Sequence, residues 1–325
     1  MTIFTHAADR RFWNIRLAFC FATAAACVPY VVLKLVWLSG GDLGVTGDAA
    51  AEIHTAKYEV ANAVTMGAEL VAVLIAFAFT YPWGRRIPGW LVLVPMWVGT
   101  GLLAPIALGL PLGMAVQAVA GGSPLPDNED SGDMAGWVFA VVYGGFVIQA
   151  ITLTGAFVLH ARARWPQVFR MAAKELRPGA TRSIQVLFVN GAALVAAVVG
   201  VMQIVWAFSG GDLGGDPRFE TAAQKTFVAI GGPLAFAGAL GALALVHRRG
   251  SGRMVGAVAA AWVGAGHLFS WGLFSGGTNG FSDLVHMFSA IAGMLLAIAC
   301  VLTLIENEPE PVPRRSPGRA HAQGG

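Results

Sequence analysis

Two segments of this 325-residue chain repeat one phrase and place an aspartate at the same point in each. WLSGGDLG at 37–44 contains Asp42, and WAFSGGDLG at 206–214 contains Asp212. A carboxylate that follows the end of a long helix faces the negative end of the helix dipole, which is mildly unfavourable. The presence of an aspartate at both positions indicates either two acids placed for chemistry or two turn-forming residues kept from a duplication. Both interpretations stay open on the sequence alone.

Glu69 is the most unusual acid, because it falls inside an apolar segment. It lies about ten residues, or ~15 Å at helical rise, below the predicted start of that segment, near the middle of a bilayer. An ionisable residue at this depth is a functional candidate by default. Dry surroundings favour the neutral carboxyl group that a proton-donating catalyst or a proton-coupled carrier needs. The structural alternatives are a buried pair with Lys34 and a hydrogen bond to another helix. The candidate acids are Glu69, Glu59, Asp42 and Asp212.

A second set of polar and aromatic residues lies in or beside the apolar segments and could contact a ligand. We predict substrate contacts from His267, Trp271, Trp37, Trp206 and Gln203. The alternative for the two repeated Trp residues is an interfacial anchor followed by a glycine helix cap. His267 and His286 are predicted at different depths, which argues against a haem. We therefore predict no cofactor and no metal site.

Sequence motifs for several kinds of chemistry are missing. The chain contains no G-x-x-x-x-G-K-[ST], GxSxG or HExxH pattern. Its three cysteines, Cys20, Cys27 and Cys300, lie in apolar runs without metal-binding spacing. Phosphoryl transfer, serine hydrolysis and zinc chemistry are therefore disfavoured.

The composition is that of a membrane protein. Hydrophobic residues make up 56% of the chain and charged residues only 12%, against about 25% charged in soluble domains. We predict an all-α polytopic transmembrane bundle, because eight apolar segments reach the roughly 20 residues that a spanning helix needs. The predicted segments are 15–38, 58–80, 89–115, 134–160, 183–208, 226–247, 254–275 and 283–305.

The charges predict the orientation of these eight segments. All but four of the 21 Lys and Arg residues fall on one side of the predicted spans. The four exceptions are Lys34, Lys57, Arg218 and Lys225. The positive-inside rule then predicts a multi-pass protein of the cell membrane with both termini in the cytoplasm.

The repeat extends beyond the opening phrase, which predicts two parallel halves of four helices each. MWVGTG at 96–101, for example, matches AWVGAG at 261–266. The predicted units are a first four-helix repeat over 1–160, a basic cytoplasmic linker over 161–182 and a second four-helix repeat over 183–305. The Pro-rich, charged residues 306–325 are predicted to form a disordered cytoplasmic tail.

One family resemblance rests on the composition and the opening of the chain. The Ala-rich and Gly-rich sequence, with PYVVLKLVW at 29–37 followed by GGD at 40–42, resembles actinobacterial integral-membrane terpene cyclases of indole-sesquiterpenoid pathways. The resemblance covers the overall architecture and the quoted phrase. It implies a reaction class, acid-initiated cyclisation of an isoprenoid, and assigns no residue.

Three functions are compatible with these features. The first is an enzyme of secondary metabolism that cyclises an isoprenoid or another amphiphilic, lipid-like substrate. The second is a small proton-coupled transporter or permease, and the third is a non-catalytic membrane component for resistance or immunity. The expected partners are the lipid bilayer and an amphiphilic small molecule, with a homo-oligomer allowed and nucleic acid not expected.

Overall fold

The computed structural model describes residues 3–124, 134–209, 213–215, 219–250, 252–275 and 280–307, with side chains from residue 12 onwards. The described helices are α1 (Ile3–Leu38), α2 (Gly47–Glu52), α3 (Ala56–Thr80), α4 (Gly89–Ala120), α5 (Gly136–Arg164), α6 (Pro166–Arg170), α7 (Arg182–Ser209), α8 (Ala222–Ala229), α9 (Gly231–Val246), α10 (Val255–Phe274) and α11 (Gly280–Ile305). Short 3-10 turns lie at Pro82–Arg86 and Ala173–Glu175.

Eight helical segments in the described ranges are long and apolar enough to cross a membrane. They correspond one to one with the eight predicted spans, and α8 and α9 together form the sixth, Ala222–Val246. This confirms the predicted all-α polytopic bundle. The orientation of the termini stays a prediction from the loop charges.

The third span is longer than predicted. Pro95, Pro105 and Pro111 all lie inside α4, which continues to Ala120, whereas the sequence pattern ended the span near 115. The helix ends at Gly121, whose positive φ of 80° is a conformation that glycine adopts without strain. The side chain of Gln117 fixes this end, donating to the Gly121 carbonyl at 2.7 Å and accepting from the Ala223 amide at 2.9 Å.

The helices form two groups that meet along α4. Helices α1, α3 and α5 pack together with α4 beside them, and we call these four the first unit. Helices α7, α9, α10 and α11 pack together with α8 in the second unit. Helix α4 contacts both α10 and α8, so it forms the main surface between the units.

The contact between α4 and α10 uses matching residues of the predicted repeat. The Trp97 indole donates to the carbonyl of Trp262 at 3.1 Å, and the Trp262 indole donates to Thr100 at 3.2 Å. Nearby, the backbones approach so closely that a Cβ on Gly101 would collide with the carbonyl of Gly266. In the predicted repeat Trp97 matches Trp262 and Gly101 matches Gly266; the arrangement of the two halves as parallel repeats stays a prediction.

The structure describes the predicted linker and the first two residues of the predicted tail. Helix α5 continues to Arg164, and α6 follows it directly. The Glu306 carboxylate accepts hydrogen bonds from the Thr181 amide at 2.8 Å and from Gln185 at 2.6 Å, at the amino end of α7. These bonds lower the pKa of Glu306, and the bond from the Thr181 amide has the largest effect. Glu306, the first residue of the predicted tail, is therefore held by hydrogen bonds; residues 308–325 lie outside the described part of the chain, and the disorder of the tail stays a prediction.

Candidate functional site

Two of the candidate acids, Asp42 and Glu59, are exposed. Asp42 lies in the turn after α1, and Glu59 lies in the first turn of α3. Asp212 lies outside the described residues, so the predicted symmetric pair of carboxylates stays a prediction. Asp42 and Glu59 are open to water, which does not provide the dry surroundings expected of an acid that protonates a hydrocarbon.

The repeated Trp residues both close the loop that follows their helix. The Trp37 indole donates to the carbonyl of Leu43 at 3.0 Å, and the Trp206 indole donates to the carbonyl of Leu213 at 2.7 Å. These are equivalent residues of the repeated phrase. The phrase therefore encodes a loop closure, and each indole N–H predicted to contact a substrate already has a backbone acceptor.

The other predicted substrate contacts lie in the second unit. His267 is buried in α10, with Nε2 about 3.5 Å from the Gln203 side chain. Trp271 donates to the carbonyl of Leu102 at 3.3 Å and packs edge-on against Phe227. His267 Nδ1 is buried without a hydrogen-bond partner among the described residues.

Glu69 lies in the first unit, apart from His267 and Gln203. Helix α3 packs on α1 and α5, whereas His267 and Gln203 lie on α10 and α7. The structure therefore does not bring the predicted acid and the predicted substrate contacts into one site.

The Glu69 carboxyl group is buried and bonded to a residue that sequence reasoning missed. Gln149 Nε2 donates to Glu69 Oε2 at 2.9 Å and lies 3.2 Å from the Cys27 sulfur. Cys27 and Gln149 are each 2% exposed. Three helices, α1, α3 and α5, thus contribute one side chain each to this contact.

Of the two structural alternatives for Glu69, the hydrogen bond to another helix is present, in the contact with Gln149, and the ion pair with Lys34 is wrong. Lys34 Nζ donates to Asn62 Oδ1 at 2.7 Å. The same ammonium group lies 4.8 Å from the ring centre of Tyr30 and 4.6 Å from that of Trp37, within cation–π range. Lys34 is therefore stabilised by an amide and two aromatic faces.

Along α1, Tyr30 lies between Lys34 and Glu69. Its hydroxyl lies beside Thr65, an exposed residue of α3, and within electrostatic range of Glu69 and Tyr143. Tyr30 also packs against Phe146, with ring centres 5.2 Å apart.

Polar contacts continue on the other side of Glu69. The Thr23 and Thr152 hydroxyls are 2.8 Å apart, deep between α1 and α5. Further along α1, the Cys20 side chain contacts the Thr80 hydroxyl. Near the arginine-rich end, buried His160 packs on the ring of Phe79 at 4.9 Å.

These contacts occur at successive levels along α1, and we call their residues together the polar row; at the Cys20 level the neighbours include apolar side chains. Along α1 its members recur in alternating steps of four and three residues, so they lie on one face of the helix. From the first to the last is about 27 Å at the rise of an α-helix, close to the ~30 Å thickness of a bilayer core. The α1 members are Lys34, Tyr30, Cys27, Thr23, Cys20 and Arg16, and their partners are Asn62, Thr65, Glu69, Thr80, Gln149, Thr152 and His160.

The matching face of the second unit is apolar in its middle and polar at its two ends. With Trp37 aligned to Trp206, the central members of the row correspond to four residues of α7 that are buried in one hydrophobic cluster, namely Val199, Ala196, Ala192 and Val189. The end members Lys34 and Arg16 correspond to Gln203 and Gln185. The middle of the polar row is therefore a property of the first unit, whereas polar residues at its ends are shared by both units.

Comparison of the chain with models of protein families, with characterised proteins and with solved structures finds no match. Among the described residues, no group of three or more His, Cys, Asp or Glu side chains is placed to hold a metal ion. The eight apolar helices define the class: the chain is an integral membrane protein of the polytopic helical kind.

Proposed function

We propose that this protein transfers protons across the membrane, as a small proton-coupled transporter does, and that Glu69 is the proton relay at mid-depth. The observation that carries the proposal is the polar row, which runs the length of a membrane span in the first unit and whose central members are replaced by Val and Ala on the matching face of α7. Buried polar groups are costly in a bilayer. A row that serves only packing would be replaceable by the Val and Ala residues that the second unit uses.

The chemistry of the row suits proton transfer. The carboxyl group of Glu69 can accept a proton on one oxygen and release it again, with no other bond formed or broken. The Tyr30, Thr65, Thr23 and Thr152 hydroxyls on its two sides can each donate and accept a hydrogen bond.

Proton flux through the purified, reconstituted protein tests the proposal. Liposomes that contain the full chain and a pH-sensitive dye are placed under a potassium diffusion potential. We expect the interior to acidify faster than in protein-free liposomes of the same lipid, because the row supplies a path through the hydrocarbon core. Flux equal to that of protein-free liposomes at both polarities of the potential would exclude a proton path.

A second candidate is the acid-initiated cyclase, which one observation favours. The rings of Tyr30 and Phe146 pack together, and Phe146 in turn packs edge-on against Tyr143, all on the Lys34 side of Glu69. Aromatic faces stabilise cations. Glu69 would give its proton to an epoxide oxygen or alkene carbon of the isoprenoid, and ring closure would end when a base removes a proton from the carbocation.

Product analysis separates the two candidates. Membranes that contain the protein are incubated with epoxidised and unmodified polyprenyl substrates of several chain lengths. The cyclase proposal predicts a cyclised isomer of the substrate, with the same mass. Glu69→Gln should abolish its formation. Recovery of every substrate unchanged, together with proton flux in the liposomes, would remove the cyclase and retain the proton path.

A further inference from the structure

A cleft at the arginine-rich end of the second unit lies apart from the polar row. It lies between α7 and the end of α9 and has a volume of about 460 Å³. Its lining is polar at the end of α9 and apolar further into the span. The lining residues are Asn190, Leu240, Leu243, Ala244, His247 and Arg249.

The polar end of the cleft has a pronounced positive charge. His247 Nε2 lies 2.8 Å from Asn190 Oδ1, which holds the ring at the cleft. Burial, followed by the nearby charges of Arg182 and Arg249, lowers the pKa of His247. An anion placed against His247 and Arg249 would relieve this repulsion.

One acid acts on this cluster and has other partners. Glu306 acts electrostatically on Arg248, but its oxygens accept bonds from Thr181 and Gln185. Arg248 Nε and Nη2 are buried without a hydrogen-bond acceptor among the described residues. Arg182, Arg248 and Arg249 therefore contribute positive charge at the polar end of the cleft.

The apolar end of the cleft opens toward lipid. Leu240 is 66% exposed and lies two helical turns, or about 10 Å, from His247 along α9. Leu243 and Ala244 continue the wall between them. A ligand that fits both ends must carry an anionic group and an apolar chain.

We propose that this cleft binds one anionic phospholipid. The phosphate lies against His247 and Arg249, and an acyl chain runs along Leu240 and Leu243 toward the centre of the bilayer. The predicted orientation places this end in the cytoplasmic leaflet, where basic pockets between helices recognise anionic headgroups. The site is independent of the proton path, because the polar row lies on α1, α3 and α5.

Lipid-dependent thermal stability of the full-length protein in neutral detergent tests the site. Phosphatidylglycerol, phosphatidylcholine and glycerol 3-phosphate are titrated separately. We expect phosphatidylglycerol alone to raise Tm in a saturable manner, because it carries both the phosphate charge and the chains. Arg249→Gln should weaken the apparent affinity for phosphatidylglycerol about fivefold, the contribution of one basic residue at an anionic surface.

Three matched variants make the result decisive. Arg170→Gln removes an exposed arginine outside the cleft and should leave the titration unchanged, whereas His247→Gln should weaken it as Arg249→Gln does. Leu240→Ser should weaken phosphatidylglycerol binding through the chain contact. Equal responses to phosphatidylglycerol and phosphatidylcholine, or an Arg249→Gln titration identical to that of the wild type, would overturn the proposal. A response to glycerol 3-phosphate that Leu240→Ser does not alter would assign the cleft to a free phosphate compound instead.

Discussion

Replacement of Glu69 by Gln is expected to reduce proton flux through the reconstituted protein to the level of protein-free liposomes. The amide keeps the size of the side chain and can still pair with Gln149, but it cannot bind and release a proton near neutral pH. A positioned proton-transfer group typically contributes 100-fold or more to rate, so the expected fall is about 100-fold. The measurement is dye-reported acidification under a fixed membrane potential.

The control for this substitution is Glu59→Gln. Glu59 is an exposed acid in the first turn of the same helix α3 and is outside the polar row, so its loss should leave the flux unchanged. Glu69→Asp, which keeps a carboxyl group on a shorter side chain, should retain part of the flux. If Glu69→Gln conducts protons as fast as the wild type, Glu69 is not the relay.

The largest effect on stability is expected from Gly101→Ala. A Cβ at this position would collide with the Gly266 carbonyl and would lie 2.7 Å from Ser270 Oγ. Helices α4 and α10 would have to separate, which would also disturb the Trp97 and Trp262 hydrogen bonds. Forcing extra volume into a packed contact costs about 1–3 kcal/mol. The expected result is a clear fall in Tm, measured by the loss of helical circular dichroism on heating in detergent.

Gly99→Ala is the matched control for this prediction. Gly99 lies two residues away on α4, and a Cβ there meets no atom within 4 Å. The same substitution at Gly99 should therefore leave Tm unchanged or raise it, because alanine reduces the flexibility of the unfolded chain. Equal Tm values for the two variants would show that the close approach of α4 to α10 does not hold the two units together.

The spans could be predicted from the sequence because they depend on a local property. About 20 consecutive apolar residues are enough to identify a membrane helix, and each predicted segment coincides with an observed one. Segment ends were harder to place. Pro111 suggested a ragged end near 115, but Gly121 and the Gln117 side chain end α4 at Ala120.

The partners of Glu69 could not be predicted because they depend on how three helices pack. The sequence around Glu69 does not indicate that Gln149, on α5, donates a hydrogen bond to its carboxyl group. It also does not indicate that Lys34 donates to Asn62. One signal was present in the sequence. The alternating steps of four and three from Lys34 through Tyr30, Cys27 and Thr23 place these side chains on one helical face.

The repeated phrase illustrates how one pattern can carry two interpretations. Trp37 and Trp206 bond equivalent carbonyls at Leu43 and Leu213, which explains the recurrence of the phrase through loop closure. Asp42 is exposed in this turn. Repetition in the sequence thus indicated shared architecture, whereas the proposed chemistry lies where the two units differ.

Infrared difference spectroscopy of the protein in sealed, oriented proteoliposomes tests the central claim most directly. The carbonyl stretch of the protonated Glu69 carboxyl group is identified by its loss in Glu69→Gln and is followed while the pH is changed on one side of the membrane at a time. A proton path predicts that the band changes when either side is titrated and shifts in D₂O. A Glu69 band that does not respond to pH or D₂O, or responds from one side alone, would contradict transfer across the membrane.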